Sequence, residues 1–318
     1  MTAPLHLLRH CWFLAGPTAG GKSAVSLELA RRLGAEIISL DSMAIYRGMD
    51  IGTAKPTVSE RGRVPHHLID IADPHEEFSV AEYLRLAWDA VSGVIGRGQI
   101  PLFVGGTGLY LRSMLRGVFE GPPADPGIRD ELETDLRQDG PLRLHDRLRS
   151  VDAASANRIH PNDSRRVIRA IEVFRLTGRP LSEQQSQPPL PQDQQPRAVL
   201  WLDPPRDWLH QRIGDRVDRM MDAGLLDETR RLLESTPPPG RTALQALGYR
   251  ELIDHLHDRC NLHDAVEQIK TNTRQFAKRQ HTWFRNLVET TAVPITGEET
   301  TSELVARLES AAHQSKNA

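Results

Sequence analysis

The sequence predicts an α/β protein built on a parallel sheet of the P-loop NTPase type, carrying a helical insertion domain and a helical C-terminal part. Three observations carry that prediction. Strand, helix and strand patterns follow one another between residues 11 and 41, the signature of a βαβ unit. A glycine-rich loop joins the first strand to the helix. From Ile128 to about Arg175 the pattern becomes helical and charged with no strand signal, and an apolar strand pattern then returns at 198–203.

Each element has its own signal. CWFLAG (11–16) is a short apolar run ending in glycine, as buried strands do. KSAVSLELARRL (22–33) puts Val25, Leu29 and Leu33 on one helical face. Gly34 ends that helix, and AEIISLD (35–41) is the second strand. A helix is expected over 80–97 and a third buried strand over 99–104, stopping at Gly105-Gly106. Parallel sheets place their chemistry at strand carboxyl ends. The sequences after Gly16, at Asp41-Ser42 and at Gly105-Gly106-Thr107 are therefore expected to converge. GPPADPG (121–127) is a turn cluster, and QQSQPPLPQDQQP (184–196) reads as a linker. Beyond 204 the chain is expected to be helical to about 287, interrupted by PPPG (237–240), with a frayed polar end at HQSKNA. The expected organisation is a core's first part over 1–115, a helical insertion over 116–195, and the core's second part with further helices over 196–318.

Composition narrows the function. No apolar run approaches the ~20 residues of a membrane span. Arg9 interrupts the apolar N-terminal stretch, so no cleavable signal peptide is expected. Cys11 and Cys260 are the only cysteines, which excludes a disulfide framework and points to a cytoplasmic protein. The 40 Lys and Arg against 42 Asp and Glu leave a net charge of −2. Nucleic acid could then be bound only through local basic patches.

Gly16-Pro17-Thr18-Ala19-Gly20-Gly21-Lys22-Ser23 fits G-x-x-x-x-G-K-[ST], between strand and helix as that motif requires. Its backbone amides and helix N-terminus suit phosphate oxygens. Lys22 adds a full charge, and Ser23 offers a hydroxyl to Mg2+. The loop implies a diphosphate or triphosphate without saying what happens to it. Asp41, ending the second strand beside this loop, could hold magnesium, act as a base, or simply cap a turn. His255, His257, Cys260 and His263 match no strong zinc spacing.

GPTAGGKS, ISLDSMAIYRGMDIGTAKP, PHHLID (65–70), FSVAEY (78–83), GGTGLY (105–110), QALGYRE (245–251) and RQFAKRQHTWFR (274–285) occur in that order. Together they resemble the tRNA dimethylallyltransferases, also called tRNA isopentenyltransferases, over about residues 11–287. Leu40 is bulkier than the residue expected there, and Ala44 replaces a frequent glutamine. Leu40 should face the core; Ala44 could alter one tRNA contact.

The resemblance implies transfer of a dimethylallyl group from dimethylallyl diphosphate to N6 of the adenosine 3′ of the anticodon. It makes Asp41 the base, and Thr18 and Arg216 partners of the departing oxygens. Read alone, Arg216 would be an ordinary solvated helix charge. The loop residues 16–23 would hold the diphosphate with Mg2+. The resemblance further implies tRNA contacts by Asp41, Ser42, Met43, Ala44, Thr107, Arg129, Arg165, Arg166, Arg169, Gly248, Tyr249, Arg250, Lys278, Arg279 and Arg285.

The charge pattern points the same way: no acid lies between Lys270 and Arg285. Lys270, Arg274 and Lys278, spaced by four, share a helix face. The reacting base is expected to flip out of its stack. The partner would be a tRNA anticodon stem-loop, no membrane is involved, and a monomer is expected. Other readings are an adenylate isopentenyltransferase acting on free nucleotide, a P-loop kinase or ATPase, and a nucleotide-gated RNA binder. The helical insertion and two basic clusters, one over 270–285 and one at Arg165, Arg166 and Arg169, argue against a free-nucleotide enzyme.

Overall fold

Residues 3–119, 121–185 and 187–317 are described by the structure, a computed structural model. A short helix, α1 (Leu5–Leu8), leads into β1 (Trp12–Ala15), α2 (Lys22–Leu33) and β2 (Ala35–Leu40). Next come α3 (Val58–Arg63) and β3 (His66–His67), then α4 (Val80–Gly96), β4 (Ile100–Gly105) and α5 (Gly108–Arg116). Neither α3 nor β3 is expected from the sequence. The former buries no residue and is held by the Thr57–Glu60 capping box, so it has no apolar stripe to read. The latter is only two residues long.

Residues 117–188 form a compact unit of their own. It contains α6 (Pro126–Val151), α7 (Ala153–Arg158), α8 (Ser164–Thr177) and α9 (Leu181–Gln184). Gly140, at φ 82°, and Pro141 kink α6. Leu132, Leu144 and Leu148 pack with Val167 and Ile171 in this unit's own core. Asp163 is the N-cap of α8, its side chain accepting from the Arg166 N–H. At the centre is Glu172, fully buried and ion-paired to Arg129 and Arg169. A buried carboxylate needs such partners to offset its desolvation. These two arginines, expected to touch tRNA, each pair with this carboxylate while their side chains stay 43% and 31% exposed. Arg165 and Arg166 are exposed.

The other unit resumes with β5 (Ala198–Asp203), α10 (Arg206–Asp222), α11 (Leu225–Leu233), α12 (Arg241–Leu244), α13 (Tyr249–Leu256) and α14 (Leu262–Asn286), and closes with β6 (Thr291–Pro294) and α15 (Thr301–Asn317). The last two elements go beyond the helical expectation, and α15 continues through Asn317 rather than fraying from His313. Its signal was legible: Thr300 and Glu303 exchange hydrogen bonds as a capping box. Leu304, Val305, Leu308 and Ala312 are its buried stripe.

The six strands are all parallel, in the order β3-β2-β4-β1-β5-β6. Alternation along β1 sends Trp12 and Leu14 into the core against α2 and α15. Phe13 goes to the opposite face and stacks on Phe103 at 4.7 Å. Leu40 is fully buried, as expected. Among the described residues no helix is long and apolar enough to cross a membrane.

Register decides where the chemistry can sit. Ala15 and Leu40 both pair with Gly105, so the chain leaves three adjacent strands at one level. Gly16, Asp41 and Gly106 are neighbours for that reason. Gly105 must be glycine: a Cβ there would stand 2.2 Å from the Leu40 carbonyl oxygen.

Candidate active site

The glycine loop is organised by its own lysine. Lys22 Nζ donates to the carbonyls of Gly16 (2.8 Å) and Pro17 (2.7 Å). Ala19 adopts φ 62° and Gly21 φ 89°, which turns the chain into α2. Two further side chains brace the loop from outside it. Arg212 Nε donates to the Ala19 carbonyl at 3.0 Å, and the Thr18 N–H donates to Gln280 Oε1 at 2.8 Å.

Asp41 begins the adjacent turn. Its Oδ1 accepts from the N–H groups of Met43 (2.8 Å) and Ala44 (3.3 Å). That is the turn-capping use its sequence allows, and it orients the carboxylate through Oδ1. Thr107 fastens the same turn from the N-terminal edge of α5, where its carbonyl accepts from the Leu111 N–H. Its N–H donates to the Leu40 carbonyl, and its Oγ1 accepts from the Ser42 N–H at 3.0 Å.

These parts line one cavity of about 570 Å3. Thr18 to Ser23 form one wall, Asp41, Ala44 and Gly106 another, and Arg212, Arg216 and Arg219 of α10 a third. Ile51, Ile69, Met220 and Phe276 supply an apolar part. Arg216 is thus a cavity residue rather than a solvated charge. Burial lowers its pKa while Asp41 opposes that shift. Arg212 and Arg219 were missed in the sequence, although spacing of 212, 216 and 219 puts all three on one helix face. Gln280 had no readable signal, because its partners are Thr18 and Gly106.

Burial first, and then the positive field of Arg216, push the Lys22 ammonium down to about 7, with Asp41 pulling upward. A bound diphosphate favours the charged ammonium. The occupied site therefore binds more protons than the empty one, and diphosphate affinity should fall as pH rises above about 7, at most roughly tenfold per unit. Lys22→Arg, whose charge does not titrate, should lack this component. Calorimetry with inorganic diphosphate between pH 7 and 9 measures both proteins. Parallel pH profiles would refute the assignment.

The 43–55 segment is held from beneath. Glu228, 4% exposed, accepts from the N–H groups of Asp50, Ile51 and Gly52 and from the Tyr249 hydroxyl. Tyr249, expected at the RNA, is fully buried and its ring fills the space beside Gly52. Burial raises its pKa, and Glu228 adds to that. Gly248 adopts φ 93°, and Arg250 pairs with Glu251 at 2.7 Å. Of these three, Tyr249 supports the loop, whereas Arg250 is exposed. Ser42 is partly exposed, Met43 packs partly against the neighbouring core, and Ala44 is 6% exposed.

On α14, Lys278, Arg279 and Arg285 are exposed and have no acidic partner among the described residues. Arg279 lies over the Phe276 ring at 5.8 Å. Lys270 does not belong with them: Asp218, from α10, and Glu267 hold it at 2.8 and 3.0 Å. An acid-free run does not exclude an acid from a neighbouring helix. Phe284 is fully buried, whereas the adjacent Trp283 packs over Gly108. His255 Nδ1 meets the Cys260 carbonyl at 3.0 Å.

The family model described as IPP transferase matches residues 44–287, and the one described as Isopentenyl transferase matches 9–68. The tRNA dimethylallyltransferase of Symbiobacterium thermophilum is 49% identical over 287 residues, covering 90% of this chain and 89% of that protein. That of Syntrophobacter fumaroxidans is 48% identical over 272 residues, covering 86% and 80%. The tRNA isopentenylpyrophosphate transferase structure from Bacillus halodurans superposes with a TM-score of 0.69 at 40% identity, covering 96% of this chain and 98% of that one. A eukaryotic dimethylallyltransferase described as acting on tRNA gives a TM-score of 0.74 at 30% identity, covering 90% and 74%.

Proposed function

We propose a residue-level mechanism from the premise that this chain belongs to the tRNA dimethylallyltransferase family. It is a prenyltransferase that moves a dimethylallyl group onto N6 of the adenosine 3′ of the anticodon. The observation that carries the residue-level reading is the shared cavity, which collects the lysine loop, a strand-end carboxylate and an arginine face around an apolar compartment.

The chemistry sets two demands. An exocyclic amine conjugated to a purine is a weak nucleophile. Diphosphate leaves only when its charge is neutralised. In the proposed step N6 attacks the allylic carbon, the carbon–oxygen bond to diphosphate breaks, and the bond pair leaves with the diphosphate. Asp41 takes the N6 proton. Lys22, the loop amides, Thr18 and Arg216 meet the negative charge as it develops, which is where preorganised cations act most strongly. Ile51, Met220 and Phe276 give the dimethylallyl chain an apolar surface.

The donor set suits a hard cation. Ser23, at the start of α2, is exposed, and Mg2+ commonly takes much of its coordination from phosphates and water. When bound, Mg2+ would neutralise part of the diphosphate charge, with Ser23 as its protein ligand. Lys278, Arg279, Arg285, Arg165 and Arg166 are the proposed tRNA contacts. The reading takes the enzyme as a cytoplasmic monomer.

Incubation with labelled dimethylallyl diphosphate and Mg2+, with either an anticodon stem-loop or AMP, tests this reading. Label should enter the stem-loop and not AMP. Transfer to AMP, or phosphate release from ATP without transfer, would favour the other enzymes weighed above.

Replacing Lys278 and Arg279 together by Ala should weaken stem-loop binding and reduce the magnitude of the log–log salt slope by about 1–2. An unaltered slope in a filter-binding titration would remove this face from the RNA contact.

A further inference from the structure

We infer that Gln280 is a positioning residue for prenyl transfer, setting the diphosphate loop from the helix that presents Lys278 and Arg279 to RNA. The inference rests on the function proposed above. Gln280 is 5% exposed. Its Oε1 accepts from the Thr18 N–H at 2.8 Å, and its Nε2 donates to the Gly106 carbonyl at 2.9 Å. One planar amide thus spans the diphosphate loop and the end of β4, segments 262 and 174 residues away in sequence.

The fit is specific. A Cβ on Gly106 would stand 2.2 Å from the Gln280 nitrogen, so this glycine makes room for the amide. Glutamine both donates and accepts from one group. Glutamate at pH 7 only accepts, and methionine fills a similar volume without either hydrogen bond. The bond to Gln280 turns the Thr18 N–H away from phosphate duty and fixes the backbone of a residue that lines the cavity. Lys278 and Arg279 immediately precede Gln280 but are exposed. A displacement of this turn of α14 on RNA docking would therefore reach the loop directly. Misplacement by about 1 Å can cost up to ~10²-fold in rate, so the effect belongs on kcat rather than on binding.

The test is Gln280→Met, assayed at saturating dimethylallyl diphosphate and stem-loop, with both KM values and the salt slope of RNA binding measured. The expected result is a kcat lowered by about tenfold or more, with each KM within about threefold of wild type and an unchanged salt slope. A kcat within twofold of wild type, or a loss confined to the KM for RNA, overturns the inference. Gln280→Glu, closer in shape, provides the same reading should the methionine variant fold poorly. Its oxygen would face the Gly106 carbonyl, so the same kcat loss is expected, and wild-type turnover would overturn the inference equally. Wild-type protein that prenylates no stem-loop would instead bring down the underlying functional reading.

Discussion

Asp41→Asn should lower kcat by about 10²-fold or more while leaving stem-loop affinity within roughly threefold. Asparagine can still accept from the Met43 and Ala44 N–H groups through its amide oxygen, so the turn that Oδ1 caps is retained. What disappears is the anionic oxygen able to take the N6 proton. Asp41→Ala removes both uses and should cost at least as much in rate. Its loss of the turn contacts could also disturb the loop, so asparagine is the cleaner replacement. Single-turnover prenylation of a stem-loop with excess enzyme isolates the chemical step. Wild-type turnover in Asp41→Asn would eliminate the base assignment and leave Asp41 as a turn residue.

Glu228→Ala should be strongly damaging although it lies outside the catalytic groups, costing about 3–5 kcal/mol of stability. The carboxylate receives three consecutive N–H groups and a tyrosine hydroxyl, with bonds between 2.6 and 3.1 Å. Truncation strands those donors in a buried site. The resulting fall in melting temperature is on the order of 10 °C. Glu228→Gln keeps the shape but turns an amide NH2 toward donors, so its loss should be intermediate. Activity should fall with loop order even below the melting transition, because Ile51 and Thr53 of this segment line the cavity. A thermal shift below about 2 °C for the alanine variant would show that the loop is held by other means.

The core elements are legible because their signals are local. WFLA is a continuous apolar run ending at Gly16 and AEIISL a mostly apolar one starting after Gly34, and they become fully buried parallel strands. The glycine loop and Asp41 are likewise readable, since loop and strand end each occupy one short window. The pairing of Arg129 and Arg169 with a buried carboxylate is less legible. Their partner Glu172 is an ordinary helix acid in sequence and is recognisable as a buried hub only once α6 and α8 pack. Tyr249 fails in the same way: next to Gly248 and Arg250 it resembles an exposed ligand contact, whereas Glu228 draws it inside.

The order of residues along the chain determined the βαβ beginning, the phosphate loop and the strand-end carboxylate, because backbone periodicity and turn chemistry act over a few neighbours. Tertiary packing alone decided which arginines face the cavity, which pair with a buried carboxylate, and that Gln280 reaches Thr18. Those outcomes depend on which buried group finds a partner once the helices pack, in one case 262 residues away. Desolvation makes an unpartnered buried polar group costly, so the folded arrangement, rather than the local pattern, selects the pairs.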